Sequence, residues 1–265
     1  MVSVFELAKR CLLHPDLHVK LEITAEAKEA LVSGLLSFER CAPPVPIDQV
    51  RLPACLRFVE PRRLPRRKLN ASAGRIALLH AIAHIEFSAI MLHWDGLYRF
   101  QGMPQSYYRD WLTVTLEELS HFNLLRTRLN ELGADYGQLP VHDGLWQVAL
   151  ETAHDVMARM ALVPRHTEAR GLDVTPAMID GLERVGDTDS AAILKKILAD
   201  EVGHVRLGSK WFSRIATERG LSPEREYFEL VGRHFKTGAK GPFNRTLRLR
   251  AGFSSAEIDR LEQPS

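Results

Sequence analysis

Four long segments of the chain repeat apolar residues every three or four positions, the period typical of helices that bury one face. They run near residues 72–100, 105–132, 143–171 and 187–219. Glycine and proline separate them, and no alternating strand pattern interrupts them. We therefore predict an all-α protein with a bundle of four helices at its centre.

The lengths of the connections indicate how these helices are joined. The short loop 101–104 makes the first two helices antiparallel neighbours. The connection 133–143 is longer, and an extended chain of that length reaches roughly 35 Å, about the length of such a helix. It therefore permits a crossover to the far end of the bundle.

Shorter elements flank the bundle. Ser3 with Glu6 predicts a capping box that opens one helix, and a second helix is predicted from about Ala25 to Arg40. A short helix over Pro176–Val185 is predicted before the fourth long one. Two more helices are predicted in the tail, one opened by Ser222 and Pro223 and one by Ser254 with Glu257.

The stretch 41–68 contains six prolines and ends in a basic run, which is typical of an extended arm. We accordingly divide the chain into three parts. Residues 1–70 form N-terminal helices and a proline-rich basic arm, 71–220 a bundle, and 221–265 a C-terminal helical extension.

Composition places the chain among ordinary globular proteins, with 45% hydrophobic and 26% charged residues and a net charge of +2. No window is expected to reach the roughly 18 apolar residues of a membrane span. The N-terminus lacks the pattern of a secretory signal, so we expect a cytoplasmic protein with no membrane partner. The three cysteines, Cys11, Cys41 and Cys55, form no Cys-x-x-Cys pair, which disfavours disulfides, zinc ribbons and a rubredoxin-type iron site.

Two Glu-x-x-His motifs carry the candidate chemistry. Glu118 precedes His121 in the second long helix, and Glu201 precedes His204 in the fourth. Residues three apart share one face of a helix, so each pair can bind one ion. A lone motif of this kind is weak evidence.

Each motif, however, is preceded at nearly the same interval by another glutamate. Glu86 lies in the first long helix and Glu168 in the third, so the chain repeats a helical hairpin that carries Glu and then Glu-x-x-His. Di-iron carboxylate bundles use this same set of ligands. We predict a centre for two metal ions at Glu86, Glu118, His121, Glu168, Glu201 and His204.

Carboxylate and neutral imidazole suit iron and manganese, and several anionic ligands offset the repulsion between two close cations. We expect two iron ions, with manganese or a mixed manganese and iron pair as alternatives. Glu117 and Asp200 could orient a ligating histidine of the other hairpin. The opposing interpretation is a bundle held by salt bridges, but the apolar residues around Glu86 supply no cation.

Other residues support weaker hypotheses. His93 and His154 could line the core near Glu86 and Glu168, although a hydrogen-bonded core imidazole is favoured for both, as for His80, His84 and His166. Pro164 should distort the third helix four residues before Glu168.

A set of basic residues could bind phosphate or RNA. A solvated or bundle-clamping arm is favoured, because aromatic residues are not interleaved with them. The set comprises Arg57, Arg62, Arg63, Arg66, Arg67 and Lys68, with Arg245, Arg248 and Arg250 near the C-terminus.

Over about residues 43–255 the sequence resembles a bacterial family of ferritin-like proteins, a domain of unknown function. The resemblance rests on LPRRKL (64–69), HAIAHIEFSAI (80–90), EELSHFNLL (117–125), LPVHDGLW (139–146), MALVPRHTEARGLDVTP (160–176) and DEVGHVRLGSKWF (200–212). It implies a ferritin-like four-helix bundle and a metal site at the six residues above, but no activity. More distantly the pattern is similar to rubrerythrin, whose four-cysteine domain this chain lacks, and to the di-iron tRNA hydroxylase.

Together these features predict a non-haem di-iron oxidoreductase that uses dioxygen or peroxide on a small-molecule substrate that the sequence does not identify. One alternative is a ferroxidase or metal-handling protein without an organic substrate. Another is a helical scaffold for interactions. The oligomeric state is left open.

Overall fold

The computed structural model describes residues 1–39, 43–47, 50–235 and 241–263. The prediction of an all-α protein is confirmed, since the described residues are mainly helical and add only two strands of two residues each. The chain divides into two compact units, Met1–Trp146 and Gln147–Ser265.

A long helical hairpin dominates the first unit. Its arms are α3 (Ser72–Arg99) and α4 (Gln105–Glu131), within one residue of the predicted bounds. Preceding helices α1 (Val4–Leu13) and α2 (Leu17–Val32) pack against α3 and α4 respectively. Strands β1 (Val2–Ser3) and β2 (Leu36–Ser37) pair in parallel, and a 3₁₀ turn covers Pro61–Arg63.

Two details near the N-terminus differ from the predictions. The second helix begins at Leu17 rather than near Ala25, because the Asp16 side chain accepts a hydrogen bond from Val19 N and caps it. It ends at Val32, and Gly34 then turns the chain with a φ of 68°. The predicted end at Arg40 lies outside the described residues. Helix α1 exists, but Ser3 makes no side-chain capping bond to it.

Helix α3 is more apolar than expected. It contains an 18-residue window of mean hydropathy 1.5, so by length and composition alone it could cross a membrane. The expectation that no window reaches this level was therefore wrong. Helix α3 is this apolar because it packs in the core. Of that window, 78% is buried inside the protein, as in the core helix of a globular unit.

The second unit is built around another pair of packed helices, α7 (Ala169–Arg184) and α8 (Thr188–Glu218). Ahead of α7 come α5 (Gly144–Glu151), which spans the boundary between the units, α6 (Val156–Leu162) and a π-helix, Val163–Glu168. Three shorter helices follow α8, namely α9 (Pro223–His234), α10 (Arg245–Arg250) and α11 (Ser255–Glu262).

The predicted third helix, 143–171, is not continuous. A turn separates α5 from α6, and the Asp155 side chain caps α6 by accepting from Met157 N. Nor is Pro176–Val185 a separate helix, since α7 runs through Pro176. Burial of Leu172, Ile179 and Leu182 along α7 outweighs the one backbone hydrogen bond that the proline removes.

The helix ends in the tail follow the predicted signals. The Ser222 hydroxyl accepts from Arg225 N at the start of α9, and Ser254 and Glu257 form the predicted capping box of α11. Helix α10, capped by Asn244, was not predicted.

Candidate metal centre

In the first unit, Glu86, Glu118 and His121 form a buried group. Glu86 comes from the middle of α3, and the other two come from α4. The distance from His121 Nδ1 to Glu86 Oε2 is 3.2 Å, and that to Glu118 Oε2 is 3.4 Å. The three residues are 5%, 2% and 0% exposed, and each offers a ligand atom within 4.8 Å of the others. A group of this size and composition could hold one divalent ion.

The hairpin itself brings these side chains together. Because α3 and α4 run antiparallel, residues before and after the group also meet in pairs, such as Phe87 with Phe122, whose ring centroids are 6.0 Å apart. Further along, His93 stacks on Trp111 at 5.0 Å. Apolar packing on both sides therefore forces three polar side chains into a dry interior.

Electrostatics shows how unfavourable this group is without a cation. Burial raises the pKa of Glu86 well above its ordinary value, the charge of Glu118 raises it further, and His121 offsets only part of this. Burial alone would lower the pKa of His121, but hydrogen bonds and charge from Glu118 and Glu86 outweigh it and raise that pKa to about 10. Protons therefore compensate the charges here, and a bound metal ion could replace them.

His93 belongs to the surroundings of this group. It lies two turns along α3 from Glu86, is buried, and places Nε2 3.9 Å from Glu118 Oε1. We had favoured an ordinary core imidazole at this position. Its seven-residue spacing from Glu86 was the signal for proximity, but the sequence could not show that the ring points towards Glu118.

Other histidines lie elsewhere. Within the first unit, His80 accepts a hydrogen bond from Gly137 N at 2.9 Å, and His84 bonds the Tyr136 hydroxyl at 2.8 Å and the His142 carbonyl oxygen at 2.9 Å. These two rings hold the loop after α4 against α3, as expected for core imidazoles.

In the second unit, the ring of His166 stacks on Phe235 at a centroid distance of 4.2 Å. His154 is exposed, in the turn between α5 and α6, so the idea that it lines the core is not supported.

The second unit carries the other motif on α8. His204 Nδ1 lies 3.1 Å from Glu201 Oε2, and the two side chains are 1% and 13% exposed. Glu168 ends the π-helix, and both oxygens of its carboxylate are buried.

The packing of the second unit indicates where Glu168 stands along α8. A Cβ on Gly208, four residues after His204, would meet Pro164, four residues before Glu168. A Cβ on Gly171, three residues after Glu168, would lie 3.8 Å from Cγ of Glu201. Residue numbers rise along one helical segment where they fall along the other, so the two segments are antiparallel. Glu168 is therefore level with His204. Along its axis, the hairpin of each unit therefore places a glutamate at about the same height as the histidine of its motif.

Pro164 produces the predicted distortion, and its form is a π-helix. Proline has no N–H to donate to the carbonyl four residues earlier, so the regular ladder fails at this point. The Thr167 hydroxyl donates to the Leu162 carbonyl oxygen at 2.6 Å and satisfies an acceptor in the wider turn. Turns of this kind occur frequently at functional sites.

Two residues proposed to orient the histidines lie beside the motifs. Glu117 is exposed on α4, and the Asp200 carboxylate accepts from Lys196 Nζ on its own helix at 2.8 Å.

These features define a class of helical protein in which buried carboxylate and imidazole side chains, repeated on two hairpins, are suited to metal binding. The chain belongs to the family described as protein of unknown function (DUF455), whose model matches residues 13–259. A relative from Haemophilus influenzae, described as an uncharacterized protein, is 41% identical over 209 residues, which cover 76% of this chain and 73% of the relative. No solved structure matches the chain.

Proposed function

We propose that this protein is a metal-binding, ferritin-like protein that acts as a non-haem di-iron oxidoreductase. The observation that carries the proposal is the burial of Glu86, Glu118 and His121 as one group in the first unit. Buried carboxylates are strongly unfavourable unless a cation compensates them. The raised pKa of Glu86 expresses that cost, and the raised pKa of His121 shows that its imidazolium supplies part of the compensation.

The ligand types fit iron. Carboxylate oxygen and imidazole nitrogen suit iron and manganese, and the group contains no thiolate to favour a softer metal. Glu86, Glu118 and His121 would hold one ion, and Glu168, Glu201 and His204 a second. The assignment of both ions to one centre rests on the repeated motif in the sequence.

A bound ferrous pair would supply two electrons, enough with two protons to reduce peroxide to two waters, or with four protons and two further substrate electrons to reduce dioxygen to two waters. The residues of the chain would bind the metal ions and orient the ligands. His93, stacked on Trp111, lies 3.9 Å from Oε1 of Glu118, whereas His121 lies 3.4 Å from Oε2, so the two rings would orient that carboxylate from its two oxygens. The apolar packing around Glu86 keeps water from the ligands.

Metal content tests the proposal directly. The purified protein is stripped with a chelator, loaded anaerobically with Fe(II), desalted and analysed for iron. We expect about two ions per chain, as in other two-metal sites. Less than about half an ion per chain would contradict the proposal, because such a site should retain most of its iron.

The chain offers matched controls for the ligands. Glu118→Ala and Glu201→Ala should each lower the iron content. Glu131→Ala and Glu218→Ala change exposed acidic residues on the same two helices and should leave it unchanged. Mössbauer spectra of the oxidised protein then decide whether the ions are magnetically coupled, as one centre requires.

Ferrous iron in excess under oxygen separates the oxidoreductase from a ferroxidase. An oxidoreductase consumes oxygen for its bound pair and then stops until an electron donor is added. Continuous oxidation of added Fe(II) would instead indicate the ferroxidase.

A further inference from the structure

The C-terminal segment 241–262 contacts the helical segment that carries Glu168 on both sides of that residue. We propose that this C-terminal segment is a positioning device for Glu168, so that residues that touch no metal ion set the metal affinity of the second unit's group. The inference rests on the proposed function, because it takes Glu168 as a ligand.

The first contact joins Arg165, in the π-helix, to Glu257 of α11. Arg165 Nη2 donates to both carboxylate oxygens of Glu257 at 2.8 Å, and Nε donates to the Ser209 hydroxyl of α8 at 3.2 Å. Both members of this ion pair are buried. Arg165 therefore connects three elements three residues before Glu168.

Aromatic rings surround the Arg165 guanidinium. The guanidinium carbon, Cζ, lies 4.5 Å from the ring centroids of Tyr227 and Phe253 and 5.4 Å from that of Phe212. Cation–π attraction is strongest where water is excluded. The head group of Arg165 thus has one well-defined place, and so does the turn of backbone that bears it.

The other contacts lie just after Glu168. Arg248 of α10 donates two hydrogen bonds to the buried Asp173 carboxylate, at 3.0 and 2.7 Å. Asn244 N also donates to that carboxylate, at 2.8 Å. Arg170 donates to the Pro242 carbonyl oxygen at 3.0 Å. The same C-terminal segment therefore holds residues before and after Glu168.

The π-helix explains why such support matters. Its hydrogen bonds follow an uncommon pattern, and Pro164 removes a backbone donor, so the local ladder fixes Glu168 poorly. A ligand must stay within about 0.5 Å of its productive place to bind well. The two buried ion pairs supply that restraint from outside the turn.

The test measures Co(II) affinity by visible absorption in the full-length protein, with hydrogen–deuterium exchange of residues 163–173 as a second readout. Glu257→Gln removes the charge from the Arg165 pair without changing its size. We expect this variant to bind one of its two Co(II) ions at least about tenfold more weakly. Changing a residue that supports a metal ligand typically lowers metal affinity by that much. Exchange in 163–173 should rise even with Co(II) present.

Asp155→Asn is the control for the loss of a more exposed ion pair. It breaks the two-bond pair of Asp155 with Arg219, at 2.7 and 3.0 Å, in the same unit but away from 163–173. Its Co(II) affinity should stay within about twofold of the unaltered protein. If Glu257→Gln does not fold, Glu257→Asp replaces it, since the shorter side chain keeps the charge but cannot reach Arg165 in the same place.

The outcomes separate the two proposals. If the unaltered protein binds no Co(II), the proposed function fails and the inference with it. If Glu168→Gln weakens one ion but Glu257→Gln behaves like Asp155→Asn, the function stands and the positioning role is overturned. Equal weakening of both ions by Glu257→Gln, with faster exchange throughout the chain, would also overturn it, because that is general destabilisation.

Discussion

The ring of Pro164 lies directly against the backbone of Gly208. A Cβ at Gly208 would come within 2.6 Å of both Cβ and Cγ of Pro164, closer than real side chains approach. The π-helix can therefore lie on α8 only because position 208 has no side chain. This contact therefore sets how closely the segment that carries Glu168 approaches α8.

Gly208→Ala should therefore destabilise the protein, by about 1–3 kcal/mol, as overpacking of a filled core does. Urea unfolding at pH 7.5 measures the change. The same variant should weaken metal binding, since the π-helix must move away from α8.

Gly203→Ala provides the control for that variant. Gly203 lies between Glu201 and His204 on the same helix, and an added Cβ would meet nothing within 4 Å. Alanine favours helix over glycine, so this change should stabilise the protein by up to about 1 kcal/mol. Similar losses in both variants would show that helix propensity, and not the contact with Pro164, decides the outcome.

Glu86→Gln should make the metal-free protein more stable and its metal binding weaker. Burial and the charge of Glu118 raise the pKa of Glu86, so the folded state is less stable than it would be with a neutral side chain there. We expect a gain of about 1–2 kcal/mol at pH 7.5 by urea unfolding.

The size of that effect depends on pH. The folded pKa of Glu86 lies above the ordinary value of 4.5, so ionisation in the unfolded state lowers stability above about pH 4.5. Below that pH the glutamate is protonated in both states, and the advantage of glutamine should vanish. Asp173→Asn is the contrast, because it leaves the buried Arg248 without its anion and should destabilise by about 3–5 kcal/mol.

The sequence predicted most of the scaffold. Hairpin α3–α4 and helix α8 follow from apolar periodicity and end within one residue of the predicted bounds, because long amphipathic helices carry many redundant signals. The third helix was predicted as one piece, although its pattern covers two helices and a π-helix. Periodicity cannot distinguish a continuous helix from one that shifts its hydrogen bonds by one residue.

The sequence predicted the kind of site and its candidate ligands better than the residues that surround them. The repeated motif predicted candidate ligands on both hairpins, and in the first unit the structure brings Glu86, Glu118 and His121 together. The restraint of Arg165 by Glu257 was not predictable, because the two residues lie 92 positions apart. From the sequence alone, each would be expected at the protein surface. Arg248 was considered for phosphate binding, but it is buried against Asp173.

Acid should destabilise the protein through His84. Burial lowers the pKa of His84 to about 4, so the folded state keeps the ring neutral, and Nε2–H donates to the His142 carbonyl oxygen while Nδ1 accepts from Tyr136. The unfolded imidazole takes up a proton near pH 6.5. Stability is therefore complete above pH 6.5 and falls by about 1.4 kcal/mol per pH unit as pH drops towards 4.

Urea unfolding of metal-free protein at pH 7.5 and 5.5 measures this loss. His84→Gln should reduce the difference between the two pH values by about 1 kcal/mol. His18→Gln changes a histidine whose side chain is 77% exposed and should not alter it. An unchanged difference in His84→Gln would show that His84 gains its proton as readily in the folded state as in the unfolded one.

Metal removal should lower stability in a way that depends on the ligands. An ion that binds only the folded state stabilises it by about 2.7 kcal/mol at a free concentration a hundred times its Kd. Chelator should therefore lower the melting temperature of the unaltered protein, and restored Fe(II) under anaerobic conditions should raise it again.

In Glu118→Ala the buried group loses a carboxylate, so its melting temperature should respond little to either treatment. Glu131→Ala retains the group and should respond like the unaltered protein, because its side chain is exposed at the end of the same helix. Equal responses of all three proteins would place the stabilising ion somewhere other than at Glu118.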